Sequence, residues 1–151
     1  LEALGELRAV RQVSVASEVA GRVVAISFKP GQQVKAGDLL VQLDDAAERA
    51  DLVAAKAAAE FAQHQLARAS ELVSAGAVSN ETLQQRQADR DQSAAQVQRL
   101  EVRILQKQIR APFTGELGLR RIDLGQYLNP GEVVATLTNL DHLYFDFEVP
   151  Q

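Results

Sequence analysis

Apolar positions along this chain follow two different periods. Between Val13 and Leu43 they come in short runs: Val13 to Ser17 alternates apolar with polar residues, Val23 to Phe28 is β-branched and apolar, and Leu39 to Leu43 closes the set. Alternation of this kind, bounded by turn residues, predicts strands. Pro30-Gly31 and Ala36-Gly37 are the breaks, where glycine supplies positive φ and the chain can reverse between strands too short for long loops. From Asp45 to Lys107 the period lengthens. Leu52, Ala55, Ala59, Ala62, Leu66, Ala69 and Val73 are spaced by alternating threes and fours, the seam of a coiled coil.

The ends of the helical segment carry their own signals. Asp45 with Glu48 three residues on resembles a capping box, and eleven alanines between positions 46 and 74 favour one long helix with a thin flank. Gly76 ends that helix and Ser79 caps a second, with Glu81 in the first turn where the macrodipole favours an anion. The second helix is expected to run to about Lys107, with Arg99, Arg103 and Lys107 towards its negative end, before Ala111-Pro112 stops it. Its seam is thinner: Leu83, then Val97, Leu100 and Ile104. Each helix would be about 40 Å long, and a short turn makes them antiparallel. The chain therefore returns to where it left the first set of strands.

The strand-forming segments on either side of this hairpin are copies of each other. Gly21, Gly31, Gly37 and Leu43 recur as Gly115, Gly125, Gly131 and Leu137, always 94 residues later. The Gly-Gln step at Gln32 recurs at Gln126, and apolar matches apolar at Val34/Leu128, Leu39/Val133 and Leu40/Val134. These six glycines, together with Gly76, are expected to be structural turn residues. Two copies so far apart imply one β domain split by an insertion. At the end of the chain, Phe145, Phe147 and Val149 alternate with Asp146 and Glu148, a half-buried strand that residues 1–12 could pair with.

Composition narrows the function. Aromatic residues make up 5% of the chain and Trp is absent, so the core is small and sits in the two copies. A net charge of −4, with no basic run, argues against a nucleic-acid surface. No apolar stretch reaches transmembrane length and no signal peptide opens the chain. Zero Cys excludes thiol catalysis, thiolate zinc sites and disulfides, and zero Met points to a processed or excised fragment whose true ends carry any targeting or anchoring signal. His64 and His142 lie on different elements, which makes surface positions the simpler reading than a metal site. Asp44, Asp45 and Asp141 lie at element ends and are explained by capping and turns. No catalytic, metal or cofactor-binding residue is nominated.

In the order of these pieces, the chain resembles the periplasmic adaptors, or membrane fusion proteins, of tripartite efflux pumps that serve resistance-nodulation-division transporters. The carriers of the resemblance are the split halves, the hairpin, the segment APFTGELGLRRIDLGQYLNPG after it and the closing LYFDFEVPQ. It implies an α+β fold: a split lipoyl-like, barrel-sandwich hybrid β domain with an inserted antiparallel α-helical coiled-coil hairpin. The expected divisions are a partial β-barrel strand at 1–12, the first lipoyl-like half at 13–43, the hairpin at 44–108, the second half at 109–140 and the start of a β-barrel domain at 141–151. It further implies a non-enzymatic subunit in the periplasm, anchored to the inner membrane by a segment missing from this chain. Its partners would be an outer-membrane channel, an inner-membrane transporter and further copies of itself in a ring, usually of six, and no nucleic acid.

By the same resemblance, the family's hairpin-tip spacing falls on Arg68, Leu72 and Ser79, which would dock on the channel. Without it, Arg68 is a solvated charge, Leu72 a flank of the seam and Ser79 a helix cap worth on the order of 1 kcal/mol. An adaptor of an ATP-driven exporter or a type I secretion system is the alternative on the same scaffold. A lipoyl or biotinyl carrier is disfavoured, because the hairpin replaces the turn that would present a modified lysine. The nearest lysines, Lys56 and Lys107, are predicted within helices. A purely structural coiled-coil module would leave the repeats unexplained.

Overall fold

The computed structural model describes residues 5–147, with side chains over residues 12–139. Contacts divide the chain into two compact units. One runs up to Asp44 and resumes at Gln106; the other is Asp45–Leu105.

The β unit consists of β1 (Gly5–Ala16), β2 (Gly21–Ile26), β3 (Gln33–Val34) and β4 (Leu39–Leu43), then β5 (Gln108–Arg110), β6 (Gly115–Leu117), β7 (Tyr127–Leu128) and β8 (Val133–Phe147). They form two four-stranded sheets, in the orders β1-β8-β6-β3 and β5-β4-β2-β7. Each sheet mixes strands from both copies, so neither copy is a domain by itself.

The offset of 94 residues is an exact relation between hydrogen bonds as well as letters. Gly21 pairs with Leu128 and Arg22 with Tyr127; the related pairs are Gly115 with Val34 and Glu116 with Gln33. Gly125 donates to the Val23 carbonyl at 2.9 Å and Val23 to the Gln126 carbonyl at 2.8 Å. Their counterparts run from Gly31 to Leu117 at 2.8 Å and from Leu117 to Gln32 at 3.0 Å. The recurring Gln has a reason: Gln32 Oε1 accepts the Lys29 N–H at 2.9 Å, and Gln126 Oε1 accepts the Asp123 N–H at the same 2.9 Å. Asp38 and Glu132 clamp the next turns alike, accepting from the Lys35 N–H at 2.8 Å and the Asn129 N–H at 3.0 Å.

Between the sheets lie the paired apolar residues that the copies share. Leu40 and Val134, Leu43 and Leu137, and Val34 and Leu128 are almost wholly buried, and Phe28 and Ile122 belong to the same cluster. Burying such a side chain contributes about 1.5–3 kcal/mol, which makes this cluster the main support of the unit. The alternation expected at Val13 to Ser17 is only partly met. Val15 is buried, but Val13 is exposed and the polar Ser17 is 2% exposed, its hydroxyl donating to the Val19 carbonyl at 2.6 Å.

The glycines divide into two kinds. Gly31, Gly37, Gly125 and Gly131 have positive φ and serve as turns. Gly21 and Gly115 do not: they open strands β2 and β6, which corrects their expected role as turns. A side chain there would crowd a neighbour. A Cβ at Gly21 would come within 3.2 Å of Leu43 Cβ, and one at Gly115 would collide with the Thr138 carbonyl. One turn pair also diverges in a compensated way. The Ala36 N–H reaches Thr114 Oγ1 at 3.1 Å, whereas at the related position Pro130 has no N–H and Ala20 offers no side-chain acceptor.

Strands β1 and β8 pair antiparallel from Gly5↔Phe147 to Ala16↔Val133. Both run straight through the expected divisions at 12/13 and 140/141, and a bulge between Ala9 and Arg11 lies near them. Positions 1–4 and 148–151, with Val149 of the expected alternation, are outside the described residues.

The helical unit is α1 (Ala46–Ser74) and α2 (Asn80–Gln106). Every residue of the predicted α1 seam is buried or half-buried, as are Leu83, Val97, Leu100 and Ile104 on α2. The gap in the second seam is filled by Arg90 and Ser93, both half-buried, which explains its weak apolar signal. Lys56 Nζ pairs across the helices with Glu101 Oε1 at 3.1 Å.

The helix limits differ from expectation in two places. Asp45 occupies the N-cap of α1 without a side-chain capping bond; its Oδ1 instead accepts from Arg49 Nε at 2.9 Å. That hydrogen bond and the carboxylate charge raise the Arg49 pKa. Lys107 lies beyond α2, and its Nζ donates to the Ala20 carbonyl at 3.0 Å.

The crowding at Gly115 is testable. Gly115→Ala should destabilise the protein by about 1–3 kcal/mol because a backbone carbonyl must move, and Gly21→Ala by less because side-chain atoms can yield. Urea denaturation of both variants measures the difference. Equal stability of Gly115→Ala and the parent chain would contradict the packing.

Candidate functional site

Local sequence builds the turn end of the helical unit. Ala75 caps α1 and Gly76 follows at φ 71°, the left-handed conformation that a side chain disfavours. The Gly76 N–H donates to the Val73 carbonyl at 3.0 Å and the Ala77 N–H to the Leu72 carbonyl at 2.8 Å. This pair of bonds is the Schellman motif, which satisfies carbonyls that the helix end would leave open.

Ser79 starts α2 as expected. Its Oγ accepts the Thr82 N–H at 3.2 Å, and its carbonyl accepts the Leu83 N–H at 3.3 Å. A contact that the sequence reading missed also involves Thr82, whose Oγ1 lies 3.1 Å from Ser79 Oγ. Each hydroxyl can serve as donor to the other. Thr82 occupies the third helical position, where a capping box would put Glu or Gln, and that position was the available signal.

Arg68 and Leu72 are one turn apart on α1 and share a face, with Ser79 across the turn. All three are exposed, Leu72 at 40%, and Arg68 forms no ion pair among the described residues. Their backbones are fixed by the caps, while the Arg68 and Leu72 side chains are open to solvent. An arrangement of one cation, one exposed apolar group and one hydroxyl on a rigid turn suits surface recognition and supplies no nucleophile paired with a base.

Elsewhere in the helical unit, a groove of about 450 Å³ is lined by Ala55, Ala58, Asp89, Gln92, Ser93, Gln96 and Arg99. It is shallow and polar along α2. His64 is exposed on α1, 3.7 Å from Glu60; the His142 side chain is outside the described ones. Among the described residues no group of three or more His, Asp or Glu gathers at a metal-binding distance, and no helix is long and apolar enough to cross a membrane.

Comparison with known proteins gives a consistent result. The family model for the barrel-sandwich hybrid domain of RND MFP proteins matches residues 11–140. The multidrug resistance protein MdtA of Klebsiella pneumoniae is 31% identical over 167 residues, which cover 100% of this chain and 40% of that protein. An uncharacterised protein of Haemophilus influenzae is 31% identical over 147 residues, 97% of this chain and 38% of the relative. The chain thus spans well under half the length of these relatives. Among solved structures, a MacA-MexA chimaera containing the α-hairpin domain of Pseudomonas aeruginosa MexA matches with a TM-score of 0.89 at 28% identity, covering 97% of this chain and 54% of the chimaera.

The caps predict graded stability. Ser79→Ala should lower helical stability by about 1 kcal/mol, whereas Ser79→Asp should keep the parent value because a carboxylate caps as well as a hydroxyl. Thermal unfolding followed by far-UV circular dichroism checks this, and an unchanged midpoint for Ser79→Ala would count against the cap.

Proposed function

The chain belongs to the RND membrane fusion protein family through its barrel-sandwich hybrid domain, and from that premise we propose that it is part of the periplasmic adaptor of a tripartite multidrug efflux pump. In this reading it joins an inner-membrane transporter to an outer-membrane channel and catalyses nothing. The observation that carries the reading is the capped turn at Gly76 with Arg68, Leu72 and Ser79 exposed beside it. The naming of the MdtA relatives for multidrug resistance supports drugs as the cargo class.

Each tip residue has a role set by its chemistry. Leu72 offers apolar surface that gains by burial against the channel. Arg68 supplies a planar cation for carboxylates or carbonyls there. Ser79 holds the start of α2 and presents a hydroxyl. The lipoyl-like unit acts as mount, since the place of a carrier turn between β4 and β5 is taken by the hairpin. Localisation in the periplasm, anchorage to the inner membrane by a segment outside this chain, and self-association in a ring, usually of six, complete the proposal. The divisions at 1–12 and 141–151 are assigned to an adjoining β-barrel domain, which β1 and β8 enter as a paired ribbon.

Ser79 allows capping and docking to be separated. Ser79→Asp preserves the cap but adds a charge, so it should leave helicity intact and lower channel capture, and Leu72→Asp with Ser79→Arg should abolish both capture and drug efflux. Drug susceptibility of a strain carrying each variant, beside pull-down of the channel, measures the effect. Full resistance with the double variant would remove the tip from the docking site.

A further inference from the structure

Two hydroxyls meet at the start of α2, and together they carry one proton more than their mutual contact can use. Ser79 Oγ lies 3.1 Å from Thr82 Oγ1, so a single hydrogen bond joins the two oxygens, and either could donate it. The proton of the other hydroxyl is left over. Both residues are exposed, and among the described residues no acceptor takes that proton.

The backbone decides which oxygen donates. Ser79 Oγ already accepts the Thr82 N–H at 3.2 Å. A hydroxyl oxygen that accepts one hydrogen bond is polarised into a stronger donor and a weaker second acceptor, so linked hydrogen bonds favour one direction. The run is therefore from Thr82 N–H to Ser79 Oγ, and from Ser79 O–H to Thr82 Oγ1. Ser79 has used its proton, and Thr82 keeps its own.

Side-chain direction leads to the same residue. Cα–Cβ bonds in a helix tilt towards its N-terminus. In the first turn of α2 that is towards the turn at Gly76, whereas Arg68 and Leu72 near the end of α1 tilt away from it. Thr82 sits at the third helical position with its hydroxyl carried back to the cap. Glu, usual at this place in a capping box, would present a carboxylate there; Thr presents a donor and a methyl group.

We propose that the hydroxyl which the hairpin tip offers its partner is that of Thr82, donated to an acceptor oxygen on the channel, and that Ser79 is the positioning residue that caps α2 and orients it. The proposal rests on the reading of the tip as the docking element. It names what the channel must supply beside a surface for Leu72 and Arg68: an oxygen that accepts a hydrogen bond.

In the test, the full chain is titrated onto the detergent-purified outer-membrane channel of the source cells on a biosensor, and far-UV circular dichroism follows unfolding of each variant. Thr82→Val keeps the side-chain shape and the backbone N–H to Ser79 Oγ. Its unfolding midpoint should match the parent while channel affinity falls about ten-fold, the size of one net hydrogen bond. Thr82→Ser restores the hydroxyl and should recover the parent affinity. Glycine is tolerated at an N-cap, so Ser79→Gly leaves the Thr82 hydroxyl in place and should lose less affinity than Thr82→Val. Parent affinity in Thr82→Val, or a larger loss in Ser79→Gly than in Thr82→Val, would overturn the proposal. A lowered midpoint accompanying the affinity loss in Thr82→Val would overturn it as well, since Thr82 would then act through the fold. Leu72→Asp with Ser79→Arg separates this proposal from the reading beneath it. If the double variant loses binding and Thr82→Val does not, only the hydroxyl assignment falls; if both bind as the parent does, the tip itself is not the docking element.

Discussion

The structure depends on one exchange: each copy of the repeat closes its glycine turn on the central strand of the other copy. Gly31 and Gln32 bond to Leu117, and Gly125 and Gln126 bond to Val23. Backbone groups this close to a core must be paired, since an unpaired one costs about 1–3 kcal/mol. The Gly31 and Gly125 N–H groups find their acceptors only in the other copy, so the sandwich needs both. That constraint holds the internal symmetry in place at the buried positions and at Gln32, Gln126, Asp38 and Glu132, whose side chains clamp the same turns.

The exchange also explains how a long insertion is tolerated. The chain leaves the β unit after β4 and rejoins it at β5, and these strands are neighbours in one sheet. Leu43 donates to the Lys107 carbonyl at 2.8 Å, so the two ends of the insertion are held side by side whatever lies between them. Two antiparallel helices with a tight turn meet that requirement, because they begin and end together. Alanines along α1 let the helices approach closely, and polar Arg90 and Ser93 interrupt the apolar seam on α2 without breaking its register.

The proposed docking residues lie where those constraints relax. At the hairpin turn, Gly76, Ala77 and Ser79 use their hydrogen bonds to end one helix and start the next. The side chains of Arg68 and Leu72 are left uncommitted and facing water. Family membership fits this economy, since an adaptor works through the surfaces it presents rather than through a pocket.

Much of this was legible in the residues. The repeat spacing, the heptad seam of α1, the glycine stop at Gly76 and the cap at Ser79 are each local signals, governed by backbone geometry within a few residues, and the structure has them where the letters put them. Asp45 failed as a capping side chain because Arg49, one turn on, competes for its carboxylate. Lys107 lies past the helix, its carbonyl accepting from Leu43 and its ammonium donating to the Ala20 carbonyl, 87 residues away in sequence. Gly21 and Gly115 look like turn glycines in the sequence, yet what a side chain would crowd there is a neighbour from β4 in one case and β8 in the other. Sequence alone settled the elements and their symmetry. Only the tertiary structure decided which copy pairs with which, because that depends on groups brought together from opposite ends of the chain.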